Sequence, residues 1–250
     1  MSRCGHSRQN RIALLAVAAF LLTVSLCAAQ GDTAGSDEAR TGIGDWLVAS
    51  GPIGVAILVL SLAAIALSVE YALSVRRGTL VPDELRLALE ELLAEGRLEE
   101  ARAVAADDPS FLGRVMAAGL AKRRRSEQAV LAAMEDVGRT ETNRLYQKVG
   151  YLALIANVAP MLGLLGTVGG MMRSFDTIAA AGQPRVSQLA GGIRFALVTT
   201  YEGLLVAIPT TILFVIFRNR VSRIAADVAA VAETLVGHAA RRARQRAAQA

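Results

Sequence analysis

Four long apolar runs, at residues 12–26, 52–75, 151–175 and 191–217, leave this chain few folds to choose from. Charged residues make up 20% of the sequence, yet these runs hold very few of them. A soluble domain mixes apolar and charged residues throughout; segregation on this scale is the signature of membrane helices. Net charge +5 and a pI near 9.8 raise the question of nucleic acid. Aromatic residues are only 4%, and the basic residues cluster at the ends of apolar runs. Positive residues flanking membrane spans account for the charge, so no nucleic-acid role is expected.

Residues 1–29 read as a signal peptide. Arg3, Arg8 and Arg11 form a basic start, residues 12–26 the apolar stretch, and Cys27-Ala28-Ala29 the small residues before Gln30. Cys4 and Cys27 both lie in this leader, and His238 is the only imidazole beyond it. No thiolate, zinc or haem site is expected, no cofactor, and no disulfide. Nor does any nucleophile–base pair or phosphate loop stand out, so the chain is not read as an enzyme.

The remaining sequence divides readily. Residues 30–51 form a polar outer segment and 52–75 a first span ending at Arg76-Arg77, which the positive-inside rule places in the cytoplasm. Residues 76–148 balance acid and base and read as a solvated helical region, with Pro82 at one helix start and Gly96 at a break. A second helical stretch is expected from near Pro109 towards Lys148. Span two covers 149–175, an outer loop 176–190, span three 191–217 and a cytoplasmic helical tail 218–250. Spans two and three, at ~40 Å each, exceed the ~30 Å hydrocarbon core and can tilt or project beyond it. The fold class is therefore all-α membrane protein: three transmembrane helices after a signal peptide, with long helices extending into a cytoplasmic helical region.

Spans two and three carry the candidate site. Gly163, Gly166, Gly169 and Gly170 recur at three- and four-residue spacing, as do Ala196, Thr200, Gly203 and Ala207. Such small faces let helices approach closely where lipid supplies no hydrophobic drive. Pro160 and Pro209 each remove a helical hydrogen bond and are expected to kink or loosen their helices. Thr167, Thr199, Thr200 and Glu202 supply polarity. Glu202 is far from both ends of its span, and an intramembrane carboxylate faces protein or water rather than lipid. Counting from the outer ends of the two apolar runs sets Thr167 and Thr200 at nearly one depth, within a ~1.5 Å step. Hydroxyls at one level, repeated around a ring, would form a polar collar able to hold water or a carboxyl group.

The stretch Ala159-Pro160-Met161-Leu162-Gly163-Leu164-Leu165-Gly166-Thr167-Val168 resembles the MotA/TolQ/ExbB proton-channel family, as do Ala196-Leu197-Val198-Thr199-Thr200 and Gly203-Leu204-Leu205-Val206-Ala207-Ile208-Pro209. The resemblance is to the ExbB/TolQ branch and covers roughly 51–223. It implies a homopentameric ring in a bacterial inner membrane, with the mature N-terminus in the periplasm. The implied partners are an ExbD/TolR-like single-span protein with an intramembrane Asp and a TonB- or TolA-like protein. Together they would turn proton-motive force into mechanical work for energised transport. It also implies pore roles for Thr167 and Thr200. Two positions depart from the family pattern: Gly169 replaces a frequent Trp, and Arg194-Phe195 stands where a Glu is usual. Glu202 shares a helical face with Phe195, ~10 Å deeper, and is expected to take over the missing carboxylate's role. The competing expectation is a non-conducting scaffold held together by the same small residues.

Overall fold

A computed structural model describes residues 43–123, 125–181 and 186–249. The expected signal peptide and most of the expected outer segment lie outside the described residues. Among the described residues every regular element is helical: α1 Ile43–Ser74, α2 Arg77–Leu80, α3 Asp83–Glu95, α4 Leu98–Asp107, α5 Phe111–Ala121, α6 Glu127–Ala181 and α7 Val186–Gln249. Three stretches are long and apolar enough to cross a membrane: Gly51–Ser74, Glu127–Ala180 and Leu189–Gly237. Spans two and three are thus parts of much longer helices, of 55 and 64 residues. The helical region before span two is interrupted between α5 and α6, and α6 begins only at Glu127.

Local chemistry explains the helix ends. α1 breaks at Gly51, whose φ of 58° and ψ of −162° lie outside helical space, and Pro52 follows. That left-handed φ suits glycine, and a Cβ there would also press on the Phe195 ring at 3.3 Å. Pro82 caps α3, Asp83 and Glu84 complement its N-terminal dipole, and Gly96 ends it in the left-handed region at φ 81°. Ser110 starts α5 by accepting a hydrogen bond from the Gly113 amide at 3.1 Å.

The chain divides into two compact units. One comprises residues 43–72 and Gly150–Ile216; the other comprises Leu73–Val149 and 217–249. In the first, α1 buries Ile57, Ser61, Ala64, Ser68 and Tyr71 at alternating three- and four-residue steps and leaves Val55, Val59, Leu62 and Val69 exposed. Ile57 and Ala64 join Ile155 and Ala159 of α6 and Val206 and Ala207 of α7 in one cluster. Small residues at this junction let three backbones approach in a medium where burial of apolar area gives no drive.

The second unit has an ordinary apolar core. Leu85, Leu89 and Leu93 of α3, Ala101 and Ala105 of α4, and Phe111, Leu112 and Met116 of α5 are buried. Ion pairs join Arg77 to Asp227 at 3.6 Å and Arg114 to Glu141 at 3.2 Å. The α4–α5 corner closes over Gly113, where a Cβ would lie 2.5 Å from the Asp108 carbonyl oxygen and 2.9 Å from that of Ala105. Gly113→Ala is therefore expected to cost about 1–3 kcal/mol through overpacking. The check is a lower thermal midpoint of the detergent-solubilised protein; an unchanged midpoint would contradict the tight corner.

Candidate functional site

The site is built on the seam between α6 and α7 in the first unit. Gly163 faces the Thr199–Thr200 backbone: a Cβ there would lie 2.9 Å from the Thr199 carbonyl oxygen and 3.1 Å from the Thr200 Cα. At Gly166 a side chain would overlap the Thr199 hydroxyl. At Gly170 it would meet the Gly192 carbonyl oxygen at 2.5 Å and the Ala196 methyl at 2.9 Å. From the other helix, a Cβ on Gly203 would come within 2.6 Å of the Ala159 carbonyl oxygen. Five of the expected packing residues, Gly163, Gly166, Gly170, Ala196 and Gly203, thus share one interface. Gly169 has open space around its Cβ position and is off the seam. Ala207 is buried in the three-helix cluster.

The seam holds its hydroxyls in distinct environments. Thr199 is fully buried, and its hydroxyl is within hydrogen-bond reach of the Phe195 and Ala196 carbonyl oxygens, 3.1 Å from each. Thr200 is half-buried, with its hydroxyl 3.1 Å from the Ala196 oxygen and 3.4 Å from that of Gly163 across the seam. Thr167 is half-buried and donates to the Leu164 oxygen at 2.7 Å. A threonine hydroxyl has one proton and two lone pairs. With that proton committed to a backbone carbonyl, Thr167 and Thr200 retain lone pairs to accept a hydrogen bond from water or a protonated carboxyl.

The register differs from the count by apolar ends. Thr200 sits against Gly163, four residues or about 6 Å of helix rise before Thr167. The two hydroxyls are therefore staggered by about a turn instead of level. Glycine contacts, not the ends of the apolar runs, set how far α6 slides along α7.

Glu202 is 3% exposed on α7, on the helical face it shares with Phe195. The Phe195 ring occupies the space that a side chain at Gly51 of α1 would meet, and the Arg173 guanidinium lies 4.6 Å from its ring centroid. Such a cation over an aromatic face is attractive, more so when desolvated. At the position where the resemblance puts a Glu, an aromatic ring thus stands between α1, α6 and α7. Pro160 and Pro209 lie inside α6 and α7, which continue through them.

The seam also continues past Gly170 to Ser174 and Gly192. Ser174 is buried, its hydroxyl 3.2 Å from the Gly170 oxygen and 3.4 Å from that of Leu189, and it fills the space a side chain at Gly192 would need. Its signal was available, since Gly170–Ser174 and Gly192–Ala196 repeat the small-residue spacing of four.

The described residues thus form helices only, three of them long and apolar enough to cross a membrane, with a glycine-sealed pair that carries threonines. The MotA/TolQ/ExbB proton channel family model matches residues 107–230. The chain is 32% identical over 179 residues to the biopolymer transport protein ExbB-like 1 of Synechocystis, covering 68% of each protein. It is 35% identical over 100 residues to the Tol-Pal system protein TolQ of Haemophilus influenzae, 40% of this chain and 44% of that one. The biopolymer transport protein ExbB of Salmonella typhimurium matches at 40% over 83 residues, about a third of either chain. This chain belongs to the MotA/TolQ/ExbB proton channel family.

Proposed function

We propose that this chain is the ring-forming subunit of an inner-membrane proton channel that works with an ExbD/TolR-like single-span partner. Membership of the proton channel family and relatives named for biopolymer transport support that reading. The observation that carries it is the pair of half-buried hydroxyls, Thr167 and Thr200, at a seam otherwise closed by glycine. A homopentamer encloses the partner's membrane helix. The acid on that helix takes a proton from the periplasmic side, crosses the threonine region neutral, and releases the proton to the cytoplasm. Neutrality matters because a bare charge in the bilayer centre is costly. Each proton moving down a 100 mV potential releases about 2.3 kcal/mol, which the ring and its partner convert into relative motion. A TonB- or TolA-like protein then carries that motion to the outer membrane.

The alternative is a scaffold that packs through the same residues without conducting. Thr167→Val separates them: valine keeps the volume and removes the hydroxyl. A channel loses proton-driven activity with assembly intact, whereas a scaffold tolerates the change.

Glu202 takes the polar role that Phe195 cannot. Its burial on the face it shares with Phe195 supports a carboxyl held among helices rather than exposed at the threonine edge. Glu202→Gln, nearly isosteric but unable to titrate, is expected to lower proton-driven activity at normal expression. Unchanged activity would remove Glu202 from the mechanism and leave it a packing residue.

A further inference from the structure

Asn157 is the polar residue that the α6–α7 seam leaves out. It lies on α6, exposed, in a stripe with Leu154, Met161, Leu164 and Val168, which are exposed as well. The opposite face of α6 at this level is occupied by Ile155 and Ala159 in the three-helix cluster. Asn157 stands six residues past Tyr151, about 9 Å into the apolar run. Its side chain is too short to reach the interface from there. A primary amide facing lipid would leave two N–H donors and a carbonyl unsatisfied, which hydrocarbon makes expensive. This face of α6 is therefore covered by something that accepts a hydrogen bond.

α7 offers such an acceptor at the same depth. Pro209 has no N–H, so the Leu205 carbonyl lacks its usual donor four residues on. A carbonyl at position 205 points along the helix towards residues 208 and 209, and Ile208 there is 60% exposed. The glycine seam fixes the level. Gly203 packs on Ala159, so two residues further along each antiparallel helix Leu205 lies level with Asn157. Five residues along from the same pair, Ile208 lies level with Leu154. Within one chain no hydrogen bond joins Asn157 to Leu205, because Asn157 faces outward. Copies arranged around an axis normal to the membrane keep every residue at its depth, so a neighbouring copy can bring the two together.

We propose that the Leu154–Val168 stripe of α6 is the contact with a second copy, whose α7 covers it, and that Asn157 donates across it to the Leu205 carbonyl. This rests on the ring proposed above and adds which faces meet and which polar pair locks them. Lipid, or the partner's helix, is the competing occupant.

The test first keeps Asn157 in place and probes its neighbours. With Cys4 and Cys27 replaced by serine, Leu154→Cys in one tagged copy and Ile208→Cys in a differently tagged copy are co-expressed in membranes and oxidised. A disulfide between the two tags is expected, since it requires Cα atoms within about 7 Å. Asn157→Leu is then expected to shorten the oligomer's lifetime in mild detergent about 3- to 20-fold per contact, with Asn157→Gln retaining part of it. If the unsubstituted chain extracts as an oligomer but the mixed disulfide is absent, the proposal is overturned and the ring stands. The same holds if Asn157→Leu is neutral or stabilising, as it would be against lipid. If the unsubstituted chain extracts as a monomer, the ring itself fails and the contact with it.

Discussion

Thr200→Val is expected to slow proton-driven work about 10- to 100-fold while the protein still folds and assembles. The fold tolerates the change because valine matches threonine in volume, and a hydrogen bond between membrane helices averages only about 0.6 kcal/mol. The hydroxyl's own bonds are modest, 3.1 Å to the Ala196 oxygen and 3.4 Å to that of Gly163. What is lost is the site's ability to accept a bond from an acid passing by. With valine there, the O–H of the neutral acid is left without an acceptor in a desolvated site, which costs about 1–3 kcal/mol and sets the expected factor. Growth dependent on energised uptake, with the oligomer verified after extraction, measures it. Normal growth of the valine variant would exclude Thr200 from the path.

Gly203→Val is expected to be the most damaging single change to the fold. Its Cβ would lie 2.6 Å from the Ala159 carbonyl oxygen and 3.2 Å from the Gly163 Cα, both backbone atoms that cannot rotate away. Separating the helices to admit it also opens the contacts at Gly163, Gly166 and Gly170, so the cost exceeds the roughly 1–3 kcal/mol of ordinary overpacking. Gly169→Ala is the matched control. That position has open space, and alanine favours helix over glycine by up to about 1 kcal/mol. Folded yield in detergent should collapse for Gly203→Val and hold for Gly169→Ala; equal yields would mean the seam is not as tight as drawn.

These contrasts show what a sequence can carry. Pro82 and Gly96 bracket α3 because each acts through its own backbone, and no distant residue is needed to read them. The small-residue spacing of Gly163, Gly166, Gly170, Ala196 and Gly203 is legible for a similar reason: periodicity defines a helical face. It does not define which of two adjacent glycines belongs to that face. Gly169 and Gly170 differ by about 100° around the helix, so only one can meet α7. Nor does it define register. The stagger of Thr167 and Thr200 follows from which glycine receives which backbone atom across the seam. The Arg173–Phe195–Gly51 arrangement stayed hidden because it joins three helices distant in sequence. Asn157 was visible as a residue but not as a feature, since its meaning depends on facing out of the packed unit.

The central claim is a proton path that needs the threonine hydroxyls of this ring together with a partner's acid. It is tested most directly in vesicles holding this chain co-expressed with the single-span, acid-bearing membrane protein of its own organism, with an internal pH dye and an imposed potential. Acidification dependent on both proteins, and largely lost with Thr200→Val at equal ring content, is the expected result. Proton entry that is the same with threonine or valine at position 200, or no entry at all with both proteins assembled, would contradict it.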